Sequence, residues 1–179
     1  FDKINSLPQR FGDIYMGTKN KFAIINGDQN YRKFAFLGDP ALRLALPLYR
    51  VVTDSINGTQ INVFNDTINA LSFVRITGHV EDLSGQKLTS FNGVVFNTVY
   101  DKISSLTTLG SNSGSIADSY NMWKNLIYKG KSTIANGEFF FEFIVPQDIS
   151  FQYGNARLSY YAENGSEDAN GYDESIIIG

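Results

Sequence analysis

The sequence predicts a mainly β fold: an immunoglobulin-like β-sandwich of about seven strands, preceded by an N-terminal helix and a short strand segment. Phenylalanine and tyrosine are abundant, with 14 Phe and 10 Tyr in 179 residues, and these residues favour pleated, half-buried surfaces. From Tyr49 onward, short apolar or alternating runs are separated by turn dipeptides. Strands do not alternate with helices along this part of the chain, so two packed antiparallel sheets are expected.

Eight runs have the length and pattern of strands. They are Tyr49–Thr53, Gln60–Phe64, Leu71–Glu81, Phe91–Tyr100, Met122–Ile134, Glu138–Val145, Arg157–Glu163 and Asp173–Ile178. Between two of the strongest runs stands Asn136-Gly137, a dipeptide typical of a two-residue hairpin turn. We therefore expect a tight hairpin at that position.

Alternation within the runs predicts which side chains enter the core. In the third run Val74, Ile76 and Val80 share one face. The opposite face carries Phe73, Arg75, Thr77, His79 and Glu81. Phe139, Phe141, Phe143 and Val145 likewise share a face. One buried face per strand is what a two-sheet sandwich requires.

The first fifty residues have a different character. Ser6-Leu7-Pro8-Gln9 has the form of a capping box, and Leu7, Phe11, Ile14 and Tyr15 follow at helical spacing. We expect a helix that ends near Lys19 to Ile25 and is weakened by Gly12 and Gly17. A turn is expected at Asn26-Gly27-Asp28. Beyond it, Phe34–Leu44 reads as two short strands around a turn at Gly38-Asp39-Pro40.

Composition excludes several classes of function. The formal net charge is −3, from 15 basic and 18 acidic residues, and no cluster of Lys and Arg suits nucleic acid. No apolar stretch approaches the roughly 18 residues of a membrane span. The chain has no cysteine and one histidine, so it offers no thiolate nucleophile and no His-rich metal site. It begins with Phe1 and has no signal-peptide pattern; we expect a removed leader or excision from a longer chain.

His79 is the one candidate general base. Glu81 and Asp82 follow it closely, and a carboxylate could orient the imidazole. A self-contained hydrolase would also need a serine nucleophile and an oxyanion pocket beside this histidine. Strand periodicity puts His79 and Glu81 on the same polar face, so we favour a cross-strand polar pair.

An acidic stretch near the C-terminus could bind calcium. Glu163, Glu167, Asp168, Asn170 and Asp173 surround Gly165 and Gly171, and calcium prefers oxygen ligands on flexible loops. The spacing does not fit an EF-hand. We favour a solvated hairpin loop, with a calcium site as the open alternative.

Other side chains carry weaker signals. Glu81, Asp101 and Glu163 could be paired for glycoside hydrolysis, but a β domain with 18 acidic residues offers such pairs by chance. Trp123 with Tyr120 and Tyr128 could form a sugar-stacking platform, although core or edge packing is the commoner use of such rings. The glycines of segment 110–115 lack the lysine of a phosphate loop. We therefore predict no catalytic, cofactor-binding or metal-binding residue; the alternative function is a carbohydrate- or adhesin-type binding module.

The most specific string in the chain is the segment 36–44, Phe-Leu-Gly-Asp-Pro-Ala-Leu-Arg-Leu. It resembles the segment that closes the peptidase domain in the gingipain family of cysteine peptidases. Further strings resemble the sortase-like members of that family in the type IX secretion system of Bacteroidetes. They are Val52–Gly58, Gly78–Gly85, Asn92-Gly93, Tyr128–Lys131, Phe143–Pro146, Tyr160–Gly165 and Asp168–Tyr172. The resemblance covers nearly the whole chain.

The resemblance implies an organisation and a location. Residues 1–48 would be the C-terminal tail of the upstream caspase-like peptidase domain, and residues 49–179 the immunoglobulin-like domain after it. The family's catalytic His and Cys lie upstream, so neither maps onto His79, and the chain is not expected to be an enzyme by itself. The implied partners are the peptidase domain in cis and other outer-membrane components of the secretion system. The implied location is the cell surface, on the extracellular side of the outer membrane, or the periplasm.

Overall fold

A computed structural model describes the backbone of residues 3–4, 7–26 and 33–179 and the side chains of residues 9–22 and 33–179. The chain forms two compact units, Phe1–Leu46 and Pro47–Gly179.

The described residues of the first unit form one short strand pair and one helix. β1 (Lys3–Ile4) pairs antiparallel with β2 (Leu7–Pro8), and α1 spans Phe11–Asn26. The predicted helix is confirmed, but its start is not. Leu7 and Pro8 lie in a strand and not in the first helical turn. Ser6 and Gly27-Asp28, where a cap and a turn were predicted, lie outside the described residues.

Backbone carbonyls from the segment after the helix satisfy its first turn. The N–H of Phe11 donates to the carbonyl of Leu42 (2.8 Å), and that of Gly12 donates to the carbonyl of Pro40 (2.9 Å). These bonds satisfy donors that a side-chain cap would otherwise serve. A Cβ at Gly12 would lie 2.8 Å from the Cβ of Pro40, so glycine permits this close approach. Around Gly38-Asp39-Pro40 the predicted turn is present, but its flanks form no strands; only Arg43 makes an isolated bridge, to Arg10.

Phe36 covers part of the apolar stripe of α1. Its ring centroid lies 6.0 Å from that of Phe11 and 5.9 Å from that of Tyr15. The Tyr15 hydroxyl also donates to the carbonyl of Phe34. The stripe residues Phe11, Ile14 and Tyr15 are consequently half-buried.

The second unit is built from thirteen further strands. The strands of its main sheet are β3 (Tyr49–Ile56), β4 (Thr59–Gln60), β6 (Phe73–Glu81), β7 (Gly93–Tyr100), β10 (Leu126–Ile134), β11 (Glu138–Ile144), β13 (Arg157–Glu163) and β14 (Asp168–Asp173). The strands of two small sheets are β5 (Thr67–Ile68), β8 (Ser104–Thr107), β9 (Ser119–Met122), β12 (Gly154–Asn155) and β15 (Ile177–Ile178).

The main sheet is continuous and rolls up until it is nearly closed into a barrel shape. Its order is β10-β7-β13-β14-β3-β6-β11, with β4 paired to β3. All its neighbours are antiparallel except β14 and β3, which run parallel. The two end strands, β10 and β11, are joined through the predicted Asn136-Gly137 hairpin, where Ala135 bridges Glu138. The φ angles of 52° and 78° at the turn residues are those of a type I′ turn.

The mainly β prediction is thus confirmed, whereas an immunoglobulin-like sandwich is not shown, because the long strands join one sheet and not two. Both architectures bury one face of each strand, so the predicted alternation holds in either. Val74, Ile76 and Val80 are fully buried, and further side chains of the other strands and adjoining loops are buried in the same core. These include Ile56, Phe91, Val95, Ile134, Phe139, Phe141, Val145, Leu158 and Tyr160.

Two small sheets lie beside the main one. β15 pairs antiparallel with β12 and parallel with β5. β8 and β9 form an antiparallel ladder that is connected by a loop containing the glycine-rich segment 110–115. Chain segments at the ends of these strands form the cleft described below.

Candidate functional site

His79 lies in a cluster of charged side chains on the outer face of β3 and β6. Its Nδ1 is 2.7 Å from Asp54 Oδ1, and its Nε2 is 3.6 Å from Glu81 Oε2. Arg50 completes the cluster, with its guanidinium 3.0 Å from Glu81. His79 and Glu81 therefore share one face, as their spacing predicted. We call Arg50, Asp54, His79 and Glu81 the His79 cluster.

Asp54 reaches the histidine because β3 carries an extra residue at this point. The register between β3 and β6 shifts between Thr53 and Ser55, which leaves Asp54 as the unpaired residue of a β-bulge. Bulges re-aim side chains, and here the carboxylate is turned toward His79. This partner was not predicted from the sequence, because strict alternation cannot locate a bulge.

The contacts of His79 in this cluster are with carboxylates. In the described part of the chain, the hydrogen bond of His79 goes to a carboxylate and not to a serine hydroxyl. The nearby Ser55 hydroxyl is bonded to Thr77 Oγ1 at 2.7 Å. A serine triad would need a nucleophile hydroxyl within hydrogen-bond reach of the imidazole.

The acidic stretch near the C-terminus is only partly the predicted hairpin loop: Glu167 lies in the loop between β13 and β14, whereas Glu163 ends β13 and the residues from Asp168 onward belong to β14. Residues Asp168–Asp173 form β14, which pairs with β13 on one side and with β3 on the other. A Cβ at Gly171 would overlap the backbone carbonyl oxygen of Val51, so only glycine allows β14 to approach β3 this closely.

The polar groups of this stretch have separate partners. Glu167 accepts a hydrogen bond from the Tyr49 hydroxyl at 2.9 Å, and Asp173 accepts one from the backbone N–H of Ser175 at 2.8 Å. Among the residues that the structure describes, three or more acidic or histidine side chains nowhere converge as a metal site would require. The candidate carboxylates Glu81 and Asp101 are likewise engaged by separate cations, Arg50 and Lys102.

The three aromatic residues of the predicted sugar platform are used differently. Tyr128 stacks on Phe141 and Phe143, with centroid distances of 5.5 Å and 5.1 Å, which is the packing role we favoured. Tyr120 is exposed on β9. Trp123 lines a cleft, and its ring is stacked on the Arg157 guanidinium at 4.7 Å.

This cleft has a volume of about 490 Å³ and is called the Trp123 cleft below. Its walls come from three segments: the end of β7 with the start of β8, the link from β9 to β10, and the approach to β12. The lining residues are Asp101, Lys102, Ile103, Ser104, Trp123, Asn125, Ser150, Gln152, Tyr153, Gly154 and Asn155. A volume of this size is typical of small-molecule sites.

An ion pair neutralises the charge at the base of the cleft. Lys102 Nζ lies 2.8 Å from Asp101 Oδ1, and the carboxylate also accepts the backbone N–H groups of Lys102 (2.7 Å) and Ser150 (3.2 Å). Burial by itself raises the pKa of Asp101. The hydrogen bonds and the charge of Lys102 outweigh burial and lower this pKa below its ordinary value. Asp101 is therefore an ionised, paired carboxylate at neutral pH.

Trp123 is held in place from outside the cleft. The Arg157 guanidinium lies between the rings of Trp123 and Tyr172, 4.7 Å and 4.6 Å from their centroids, and is bonded to Glu174 at 2.9 Å. The indole Nε1 of Trp123 is buried and has no hydrogen-bond partner in the described protein. Unpaired buried donors are uncommon and costly in folded proteins. Trp123 was a candidate from the sequence, but the cleft was not predicted, because its walls are far apart along the chain.

Helices in the described part of the chain are not long and apolar enough to cross a membrane.

The fold and the cleft define a mainly β protein region that contains no cysteine and hence no catalytic cysteine. Among solved structures, the chain is similar to dimeric latent PorU from Porphyromonas gingivalis. The two share 29% sequence identity with a TM-score of 0.64, over 96% of this chain and 16% of that one. PorU is the sortase of the type IX secretion system. The resemblance predicted from the sequence strings is thus confirmed, and the chain spans only a small part of the length of PorU.

Two further solved structures are more distant. Spo0M, a sporulation control protein from Bacillus subtilis, is 16% identical with a TM-score of 0.40, over 74% of this chain and 50% of its own. The alkylpurine DNA glycosylase AlkC from Pseudomonas fluorescens, bound to DNA containing an abasic site analog, is 11% identical with a TM-score of 0.30, over 74% and 30% of the two chains. Likenesses of this size indicate neither a shared fold nor a shared function. No protein-family model and no curated protein matches the chain significantly.

Proposed function

We propose that this chain is a non-catalytic accessory region of a sortase-like cell-surface peptidase of the type IX secretion system, where it supports the export and surface attachment of secreted proteins. The similarity to PorU over 96% of the chain carries the proposal. Residues 1–48 would be the end of the peptidase domain, and residues 49–179 the β domain that follows it. The role is accessory because the chain supplies no cysteine nucleophile.

The proposed partners are the upstream peptidase domain in cis and other outer-membrane components of the secretion system. The proposed location is the extracellular side of the outer membrane. A rolled sheet with a filled interior suits this role, because it presents a rigid outer surface. The arrangement of His79 between two carboxylates also favours a structural role for the single histidine over a chemical one.

Crosslinking in the native outer membrane tests the partners. The full-length protein should be compared with a version that lacks residues 51–179, each crosslinked in intact cells and recovered by an N-terminal tag. We expect secretion-system components to be recovered with the full-length protein and lost from the shortened one. Equal recovery from both would refute the interaction role.

A single substitution tests the absence of chemistry in this region. His79→Gln in the full-length protein keeps a hydrogen-bonding side chain and removes the base. Processing and surface attachment of secreted proteins should continue at the wild-type rate, since the catalytic groups are proposed to lie upstream. Loss of processing in a variant that still reaches the outer membrane would show that His79 takes part in the reaction.

A further inference from the structure

The Trp123 cleft has the chemical character of a site for a neutral, hydroxyl-rich ligand. Its lining includes two aromatic residues, Trp123 and Tyr153, whose rings have apolar faces. The lining also includes Asn125 and Gln152, whose side-chain amides can donate and accept hydrogen bonds at the same time. A sugar ring has the matching pattern, because its hydroxyl groups lie around the rim and its C–H groups lie on its faces.

The side-chain amides of the cleft are free to bind a ligand, whereas its charged groups are already paired. Asn125 and Gln152 have no side-chain hydrogen bond in the described structure. The ionic groups of the cleft, Asp101 and Lys102, are paired with each other at 2.8 Å, and Lys102 Nζ also donates to the carbonyl of Ile178 at 3.2 Å. A phosphate or carboxylate would have to break this pair, so the cleft disfavours anionic ligands.

Two features indicate that the cleft is more than a gap between loops. Tyr153 lines the cleft and keeps 72% of its surface exposed. Trp123 is clamped by Arg157 and retains an unpaired, buried indole N–H, a cost that a phenylalanine would avoid. Aromatic side chains with a few polar groups around a cleft are typical of small-molecule binding sites.

From these observations, we infer that the Trp123 cleft binds a short neutral carbohydrate of two to four sugar units, with Tyr153 and Trp123 against the ring faces and Asn125 and Gln152 on the hydroxyl groups. A volume of about 490 Å³ suits a ligand of this size. This inference goes beyond the proposed accessory function and does not depend on it.

The chain provides its own probe, because Trp123 is its single tryptophan. The purified 179-residue chain should be screened on an array of neutral glycans and then titrated with the positive oligosaccharides while tryptophan emission is recorded. Matched uronic-acid oligosaccharides and neutral tetrapeptides are titrated in parallel. We expect saturable changes in emission with neutral saccharides and weaker effects from both other sets.

Two adjacent aromatic residues give a matched pair of variants. Tyr153→Ala removes a ring that lines the cleft and should weaken binding at least about tenfold, or roughly 1.4 kcal/mol. Phe151→Ala removes a ring that is 89% exposed and does not line the cleft, so its affinity should stay within about twofold of wild type. Gln152→Ala is the second cleft variant, should Tyr153→Ala fail to fold.

Three results would overturn the inference. One is that no neutral saccharide binds on the array or changes Trp123 emission. Another is that the tetrapeptides or the acidic saccharides bind more tightly than the neutral ones. The third is that the Tyr153→Ala and Phe151→Ala variants bind the saccharide equally well. None of these results would alter the crosslinking outcome expected for the accessory role.

Discussion

A buried hydrogen bond inside the rolled sheet gives the sharpest test of its packing. The hydroxyl groups of Thr53 on β3 and Tyr160 on β13 lie 2.9 Å apart, and each residue is only 3% exposed. β14 stands between these strands in the sheet, so the bond joins side chains of two strands that do not pair with each other. Burial raises the pKa of Tyr160, which keeps its hydroxyl protonated.

Either single substitution leaves one buried hydroxyl without its partner. Tyr160→Phe leaves the Thr53 hydroxyl without a hydrogen-bond partner, and Thr53→Val does the same to the Tyr160 hydroxyl. Each should lower the free energy of unfolding by about 1–3 kcal/mol, since an unpaired buried polar group costs that much. The double variant removes both groups and should be more stable than the sum of the single effects predicts, with a coupling of about 1 kcal/mol.

Urea unfolding followed by the fluorescence of Trp123 measures all four proteins of this cycle. Tyr161→Phe is the matched control, because its ring points outward and is 43% exposed; it should change stability by less than about 0.5 kcal/mol. If the effects of Thr53→Val and Tyr160→Phe add to within about 0.3 kcal/mol, the two hydroxyl groups do not interact, and the proposed interior contact is wrong.

Two further predictions concern the helix and the buried ion pair. Gly17→Ala should stabilise α1 by up to about 1 kcal/mol, because alanine has the higher helix propensity and its Cβ would meet open space. Gly12→Ala brings the same gain in helix propensity but should destabilise the protein, because its Cβ would collide with Pro40. Differential scanning calorimetry should give opposite shifts, and equal shifts would contradict the close approach. Asp101→Asn should lower the free energy of unfolding at pH 7, because the pKa of Asp101 is lowered in the folded protein. A lowered carboxyl pKa stabilises the fold above the pKa of the unfolded chain, near 3.9. This stabilisation is lost as the pH falls through the pKa of the folded protein. The difference in unfolding free energy between wild type and Asp101→Asn should therefore decrease in acid. A difference that is constant from pH 7 to pH 2 would count against the ion pair.

Local patterns predicted the features that depend only on neighbouring residues. The alternation of β6 and β11 identified their buried faces, and Asn136-Gly137 identified the hairpin between β10 and β11. Both signals act over a few residues, so they survive in any global arrangement. For the same reason they could not distinguish a sandwich from a rolled sheet, since each buries one face of every strand.

Predictions failed where a distant segment decides the local structure. Ser6 to Gln9 has a helix-start pattern, yet α1 begins at Phe11, whose N–H is satisfied by the carbonyl of Leu42. Residues Asp168–Asp173 have low strand propensity, yet pairing with two neighbours makes them β14. In each case a glycine lets a distant backbone segment come close: Pro40 approaches α1 at Gly12, and Val51 approaches β14 at Gly171. Local side-chain patterns do not reveal such contacts.

The two functional proposals depend on different features of the chain. Similarity to PorU extends over 96% of the chain, whereas the Trp123 cleft depends on residues from three segments between Asp101 and Asn155. An accessory region that binds other proteins uses its outer surface and does not need the cleft. Its crosslinks should therefore persist in the Tyr153→Ala variant of the full-length protein. A region that acts by holding a glycan should lose its effect on surface attachment with that same variant. Crosslinking and attachment, measured on this one substitution, therefore decide whether the cleft serves the accessory role or is independent of it.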